Sequence, residues 1–140
     1  MSAAKRPTVT ASAGSTDFRA SPPSGELILV RHGTTVDNLH SRWSGWSDTP
    51  LSDKGRAQAG LVADCLAEGF AVDVVYTSPL QRARETVALI GEKLGLTPRV
   101  HDGLKELYFG RVEGMLDEEV RRDYPEAYEM ALDRHNLDFG

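Results

Sequence analysis

Leu27, Ile28, Leu29 and Val30 form an unbroken apolar run directly ahead of Arg31, His32 and Gly33. A run so short, without polar alternation, predicts a strand buried on both faces, as strands of parallel sheets are. Between Ser52, a candidate N-cap, and Glu68 the pairs Leu61/Val62 and Cys65/Leu66 recur four apart, and Gly69 supplies a stop. This pattern predicts an amphipathic helix. Val72, Val74, Val75 and Tyr76 predict a second strand. Ser78 as N-cap, Pro79 at the first helical position and Gln81 closing a capping box predict the helix start that follows it. Leu80, Ala83, Val87, Ile90 and Leu94 give that helix one apolar stripe, and Gly95 ends it. A short strand around Arg99 to His101 comes next. The last third predicts helix, with Leu116 and Val120 on one face, a break at Tyr124-Pro125, and Ala127, Tyr128, Ala131 and Leu132 beyond it.

Strand, helix, strand, helix, strand, joined by right-handed crossovers, predicts an α/β fold with an open, mostly parallel sheet and flanking helices. Residues 1 to 25 carry Ser, Thr, Ala, Pro and Gly without hydrophobic periodicity and close on Pro22, Pro23 and Gly25. They predict a disordered tail, with the fold occupying residues 26 to 140. At 140 residues and 40% hydrophobic the chain has the size and content of one ordinary globular core. Its net charge of −5 divides into +2 over residues 1 to 24 and −7 over the rest, which speaks against a nucleic-acid or membrane surface. No apolar run approaches the roughly 20 residues that span a bilayer. Cys65 is the only cysteine, so no internal disulfide forms and a cytoplasmic, reducing setting is expected. It falls on the predicted apolar face of its helix, which predicts a core position, and no Arg follows six residues on as a cysteine phosphatase would need.

In open α/β sheets ligands bind beyond the carboxyl ends of the strands. Arg31 and His32 follow the first predicted strand, Arg82 lies one turn into the helix after the second, and Glu106 lies in the loop after the third. One sheet edge is thus expected to hold a nucleophile, two cations and a carboxylic acid, the parts of a phosphate pocket. Guanidinium groups match phosphate oxygens bidentately and stabilise charge on a transferring group where water is excluded. A neutral imidazole attacks phosphorus directly, and neighbouring Arg charges favour its neutral form. His32 would carry the phosphoryl group. Glu106 would protonate the leaving alkoxide and then, as carboxylate, activate the water that hydrolyses the phosphohistidine. The scheme needs no metal or cofactor. His40, His101 and His135 lack ligand spacing and are expected at the surface or in caps. Trp43 and Trp46 flank Ser44 and Gly45, a pattern expected either to pack the loop alone or, through the glycine, to let backbone amides approach a phosphate.

Taken together these segments resemble the histidine phosphatase superfamily, which includes cofactor-dependent phosphoglycerate mutases and broad-specificity phosphatases. Leu29 to Thr35 with Asn38 resembles its signature, and Gly45 to Ser52 with Gly55 its next block. Ser78 to Ala83 with Thr86 resembles the block bearing a second phosphate Arg; Leu104, Glu106, Phe109-Gly110 and Glu113-Gly114 resemble its general-acid loop. The resemblance implies a phosphoglycerate mutase-like α/β fold. It implies that His32 is the phosphorylated nucleophile, that Arg31 and Arg82 clamp phosphate, that Glu106 donates the proton, and that Asn38, Ser44 and Gly45 line the site. It also implies a small phosphomonoester substrate.

Phosphatase chemistry is favoured over mutase chemistry, because Phe109 stands where the mutases usually have Tyr, and their downstream Lys and paired Arg have no counterpart; Arg121-Arg122 lies too close to Glu106. The family's second catalytic His, followed by Gly after a later strand, finds no match between residue 115 and Gly140. The chain is therefore expected to be a fragment, its fold incomplete at the C-terminus, with an exposed edge at Leu27 to Val30 and little activity alone. A non-catalytic phosphate-binding module is the other alternative, and the oligomeric state stays open.

Overall fold

The computed structural model describes residues 25–133. The expected tail at 1 to 25 and His135 lie outside them, Gly25 apart. The chain order is α1 (Val36–Leu39), α2 (Asp53–Gly69), β1 (Tyr76–Thr77), α3 (Gln81–Leu94), β2 (Arg99–Val100), α4 (Asp117–Asp123) and α5 (Pro125–Asp133), with two single-turn 3₁₀ segments, Asp102–Leu104 and Gly110–Val112, between β2 and α4. β1 and β2 pair in parallel, Tyr76 opposite Arg99 and Thr77 opposite Val100, with α3 as the crossover. This is the α/β arrangement that the alternation of patterns predicts.

α2 starts where expected: the Ser52 side chain accepts from the Gly55 amide, satisfying one of the free donors of the first turn. Its buried face is Gly55, Ala59, Ala63 and Leu66, not the Leu61/Cys65 side. The small residues let α3 approach, and Ala63, Leu66 and Ile90 make the core, with Ile28, Val62, Phe70 and Leu94 packed around it. Cys65 is therefore exposed, against its predicted core position, and Leu61 is exposed too. α3 buries Val87 and Ile90 of the predicted stripe and ends on Gly95 in the left-handed region (φ 68°).

Two further expectations give way. α3 begins at Gln81 without a side-chain cap of its own; the Ser78 hydroxyl accepts from Leu80 N–H, and the Gln81 N–H goes to the Asp48 carboxylate, 2.6 Å away on a distant loop. The orphan donor finds a tertiary partner in place of the predicted capping box. The segment Leu27 to Val30 is not a strand. Leu27 and Leu29 are 81% and 85% exposed, and no residue among those described forms a ladder with the segment. A strand exists only through its neighbours, and among the described residues this segment has none. Among the described residues no helix is long and apolar enough to cross a membrane.

Candidate active site

His32 is half-buried at the end of this segment, and the chain around it is fixed by contacts on three sides. Behind it, Gly33 abuts Gly55 of α2 so closely that a Cβ on Gly33 would fall on the Gly55 carbonyl, and one on Gly55 would fall on the Thr34 carbonyl. The Gly33 amide donates to the Thr86 hydroxyl of α3 (3.2 Å), which in turn donates to the Arg82 carbonyl (2.8 Å). Ser52 bonds the Thr34 carbonyl through both its amide and its hydroxyl. The loop bearing His32 is thereby held against the N-terminal parts of α2 and α3.

The imidazole Nδ1 lies 2.8 Å from the Gly33 carbonyl. A carbonyl only accepts, so Nδ1 carries the proton and the neutral ring keeps its lone pair on Nε2. Burial lowers the His32 pKa below the ordinary 6.5, and the positive charges of Arg82 and Arg31 push the same way, while the Gly33 bond and the Glu106 carboxylate oppose them. The balance favours a neutral, nucleophilic ring near neutral pH.

That shift has a consequence for stability. Just below pH 6.5 the unfolded chain takes up His32's proton more readily than the folded chain, so stability is full above that pH and falls as pH falls toward the folded-state midpoint. Urea titrations of the native chain between pH 5 and pH 7.5 should show this slope, and His32→Asn should flatten it; an unchanged slope would mean that His32 titrates normally.

Arg82 is buried, and its guanidinium donates to the Ser47 carbonyl (3.1 Å) and the Gly45 carbonyl (2.8 Å). Burial depresses its pKa, and Glu106, Asp48, Asp37 and Glu113 offset this, Glu106 most. Arg31 is exposed beside His32. Glu106 is exposed in the loop after the first 3₁₀ turn, its Oε1 accepting from the Leu107 amide (2.8 Å) and its carbonyl from the Trp46 indole (2.7 Å). The charges of Arg82, Arg31 and Glu106 all act on His32, and that of Glu106 also on Arg82.

The three minor site residues have definite places. Asn38 caps α1, its side chain accepting from the Thr35 amide (3.0 Å). The Ser44 hydroxyl donates to Asp37 (2.9 Å). Gly45 has φ +49°, its carbonyl holds Arg82, and a Cβ there would fall on Glu113 Oε1. Its missing side chain makes room for Glu113.

Residues whose part the sequence pattern does not reveal are Thr86, Asp48 and Glu113: Thr86 bonds the Gly33 amide and lines the groove at His32, Asp48 holds the Gln81 amide, and Glu113 ties two loops together. Trp43 packs on Phe109 (ring centroids 5.2 Å), Trp46 on Tyr108 (5.1 Å), and Lys105 sits over the Trp46 ring. An open groove of about 700 Å³ runs from Arg31 and His32 past Asn38 to Leu61 and Val62 of α2.

A family model described as the histidine phosphatase superfamily (branch 1) matches residues 27–138. The chain belongs to the histidine phosphatase superfamily. Curated members similar to it include phosphoglycerate mutase-like protein 4 of Arabidopsis thaliana, 38% identical over 104 residues, covering 74% of this chain and 45% of the relative. Phosphoserine phosphatase 1 of Hydrogenobacter thermophilus is 37% identical over 115 residues, 81% of this chain and 54% of the relative. Among solved structures, a mycobacterial glucosyl-3-phosphoglycerate phosphatase complexed with VO3 superimposes with a TM-score of 0.66 at 36% identity, covering 71% of this chain and 49% of that one. This histidine phosphatase chain spans about half the length of the curated relatives it matches.

Proposed function

We propose that the chain carries the phosphoryl-accepting part of a phosphomonoester phosphatase. In it His32 is the nucleophile, Arg31 and Arg82 bind the transferring group, and Glu106 serves as general acid and then general base. The observation that carries this is the convergence on one half-buried imidazole: its Nδ1–H is committed to Gly33, and the charges of Arg82, Arg31 and Glu106 all act on it. The Nε2 lone pair attacks phosphorus, the ester P–O bond breaks, and Glu106 gives its proton to the departing alkoxide. The Glu106 carboxylate then takes a proton from water as that water attacks the phosphohistidine, releasing phosphate and the neutral ring. Asn38 lies on the groove wall, Ser44 is tied to Asp37, and the Gly45 carbonyl aims Arg82.

The substrate is a small phosphomonoester, and the relatives named for phosphoserine and glucosyl-3-phosphoglycerate support that class. Phe109 supports hydrolysis over isomerisation. The lone cysteine supports a cytoplasmic setting.

Residues 1 to 140 alone are expected to turn over slowly. The groove at His32 is open to water, the segment before it is exposed, and electrostatic stabilisation of a transferring phosphoryl group depends on water exclusion; loss of one such stabilising wall costs about a hundredfold or more. Phosphorus NMR of the chain with p-nitrophenyl phosphate and, separately, with 3-phosphoglycerate reads this out. Slow release of inorganic phosphate is expected from both. Appearance of 2-phosphoglycerate would replace the phosphatase by a mutase. Binding without any release would favour a non-catalytic phosphate module, and ordinary enzyme rates would contradict the fragment proposal.

A further inference from the structure

Glu113 lies outside the reaction scheme, yet its carboxylate joins the two loops that the scheme brings together. Oε1 accepts from the Trp46 amide (2.8 Å) and from the Phe109 amide (3.2 Å), and Oε2 lies 3.4 Å from the Ser47 hydroxyl. One oxygen thus ties the loop that aims Arg82 to the loop that bears Glu106. The fit is close, since Gly45 leaves the space that the carboxylate fills. The Trp46 indole crosses the same junction to the Glu106 carbonyl. Next to it the chain is stitched further, Gly114 N–H to the Trp43 carbonyl (2.7 Å) and Trp43 N–H to the Met115 carbonyl (3.0 Å). Those neighbouring bonds hold residues 41 to 43 in place, so what Glu113 adds is specific to residues 46 to 47 and 106 to 109.

We propose that Glu113 is a positioning residue: by accepting from the Trp46 and Phe109 amides it holds the Glu106 loop against the loop whose carbonyls hold Arg82, and so keeps Glu106 at His32. The proposal rests on Glu106 and His32 being the acid and nucleophile, and deepens that assignment. A backbone amide on a carboxylate is among the stronger hydrogen bonds in a protein, and two of them on one oxygen fix a separation between loops that no local propensity sets. Gln at this position keeps one oxygen to accept both amides. Ala keeps none, and Asp keeps the charge but lacks the reach.

The test needs no turnover. The groups whose charges act on the His32 ring are Arg82, Arg31 and Glu106, with the Gly33 carbonyl as its hydrogen-bond partner. The His32 midpoint is followed by NMR in the native 140-residue chain and in Glu106→Gln, each alone and combined with Glu113→Ala, Glu113→Asp or Glu113→Gln, alongside amide hydrogen exchange at Trp46 and Phe109. Glu106→Gln should lower the His32 midpoint in the native chain and with Glu113→Gln, but much less with Glu113→Ala or Glu113→Asp, where the loop no longer holds the carboxylate close. The Trp46 and Phe109 amides should exchange roughly tenfold faster or more in the Ala and Asp variants and near the native rate in the Gln variant.

A Glu106→Gln shift of equal size with and without Glu113 would overturn the positioning role. If Glu106→Gln moves nothing even in the native chain, the acid assignment falls instead, and the exchange rates alone then decide whether Glu113 holds the two loops: unchanged rates in both the Ala and Asp variants would overturn it.

Discussion

Arg82→Ala should reduce phosphoryl transfer to His32 by about a hundred- to a thousandfold, the range for removing one preorganised stabiliser of a transition-state oxyanion. The effect is large because Arg82 does two things at once. Its guanidinium is buried and held by the Gly45 and Ser47 carbonyls, so its orientation is set before substrate arrives. It is also one of the two cations whose charge adds to burial in lowering the His32 pKa. Removing it leaves the buried Gly45 carbonyl without its Arg82 donor, while the Ser47 carbonyl keeps the Thr49 amide; at a cost of about 1–3 kcal/mol for an unsatisfied buried group, a fall in denaturation midpoint should accompany the kinetic loss. Arg82→Lys restores a charge but not the planar fork and should recover only part of the rate. Single-turnover transfer measured on chains shown by circular dichroism to be folded separates the two effects. A folded Arg82→Ala chain with native transfer rates would remove Arg82 from the site.

Glu106→Gln should discriminate between leaving groups. An alkyl phosphate needs its alkoxide protonated as the P–O bond breaks, and loss of a general acid there costs about a hundred- to ten-thousandfold. A nitrophenolate departs with little assistance, so its loss should be roughly tenfold or less. The exposed position of Glu106, with only the Leu107 amide on its carboxylate among the described residues, leaves that carboxylate accessible to substrate. Equal losses on the two substrates would assign Glu106 a binding role in place of proton transfer.

Much of this was legible because it is local or because it follows from strand ends. Ser52, Gly95 and the apolar stripe of α3 set helix ends and faces through contacts within a few residues. His32, Arg82 and Glu106 stand out in the sequence because each follows a predicted strand of an α/β pattern, although the segment before His32 is not a strand in the structure. The failures share a cause. The Leu27 to Val30 strand depends on neighbours that no run of apolar residues supplies. The start of α3 is decided by Asp48, a carboxylate 33 residues earlier. Cys65 faces solvent because α3 packs on the Ala59/Ala63/Leu66 side of α2, and a sequence offering two adjacent apolar pairs does not say which side a partner chooses. Glu113 was visible as part of a motif, but its task depends on two backbone amides 63 residues apart meeting at one oxygen.

The central claim is that His32 takes the phosphoryl group on Nε2. Incubating the 140-residue chain with a radiolabelled phosphomonoester, quenching in alkali to preserve a phosphoramidate, and mapping peptides by mass spectrometry tests it directly. The expected result is one acid-labile, alkali-stable phosphate on His32 that is absent from His32→Asn. Phosphate on another residue, or alcohol released with no label on His32, would contradict it.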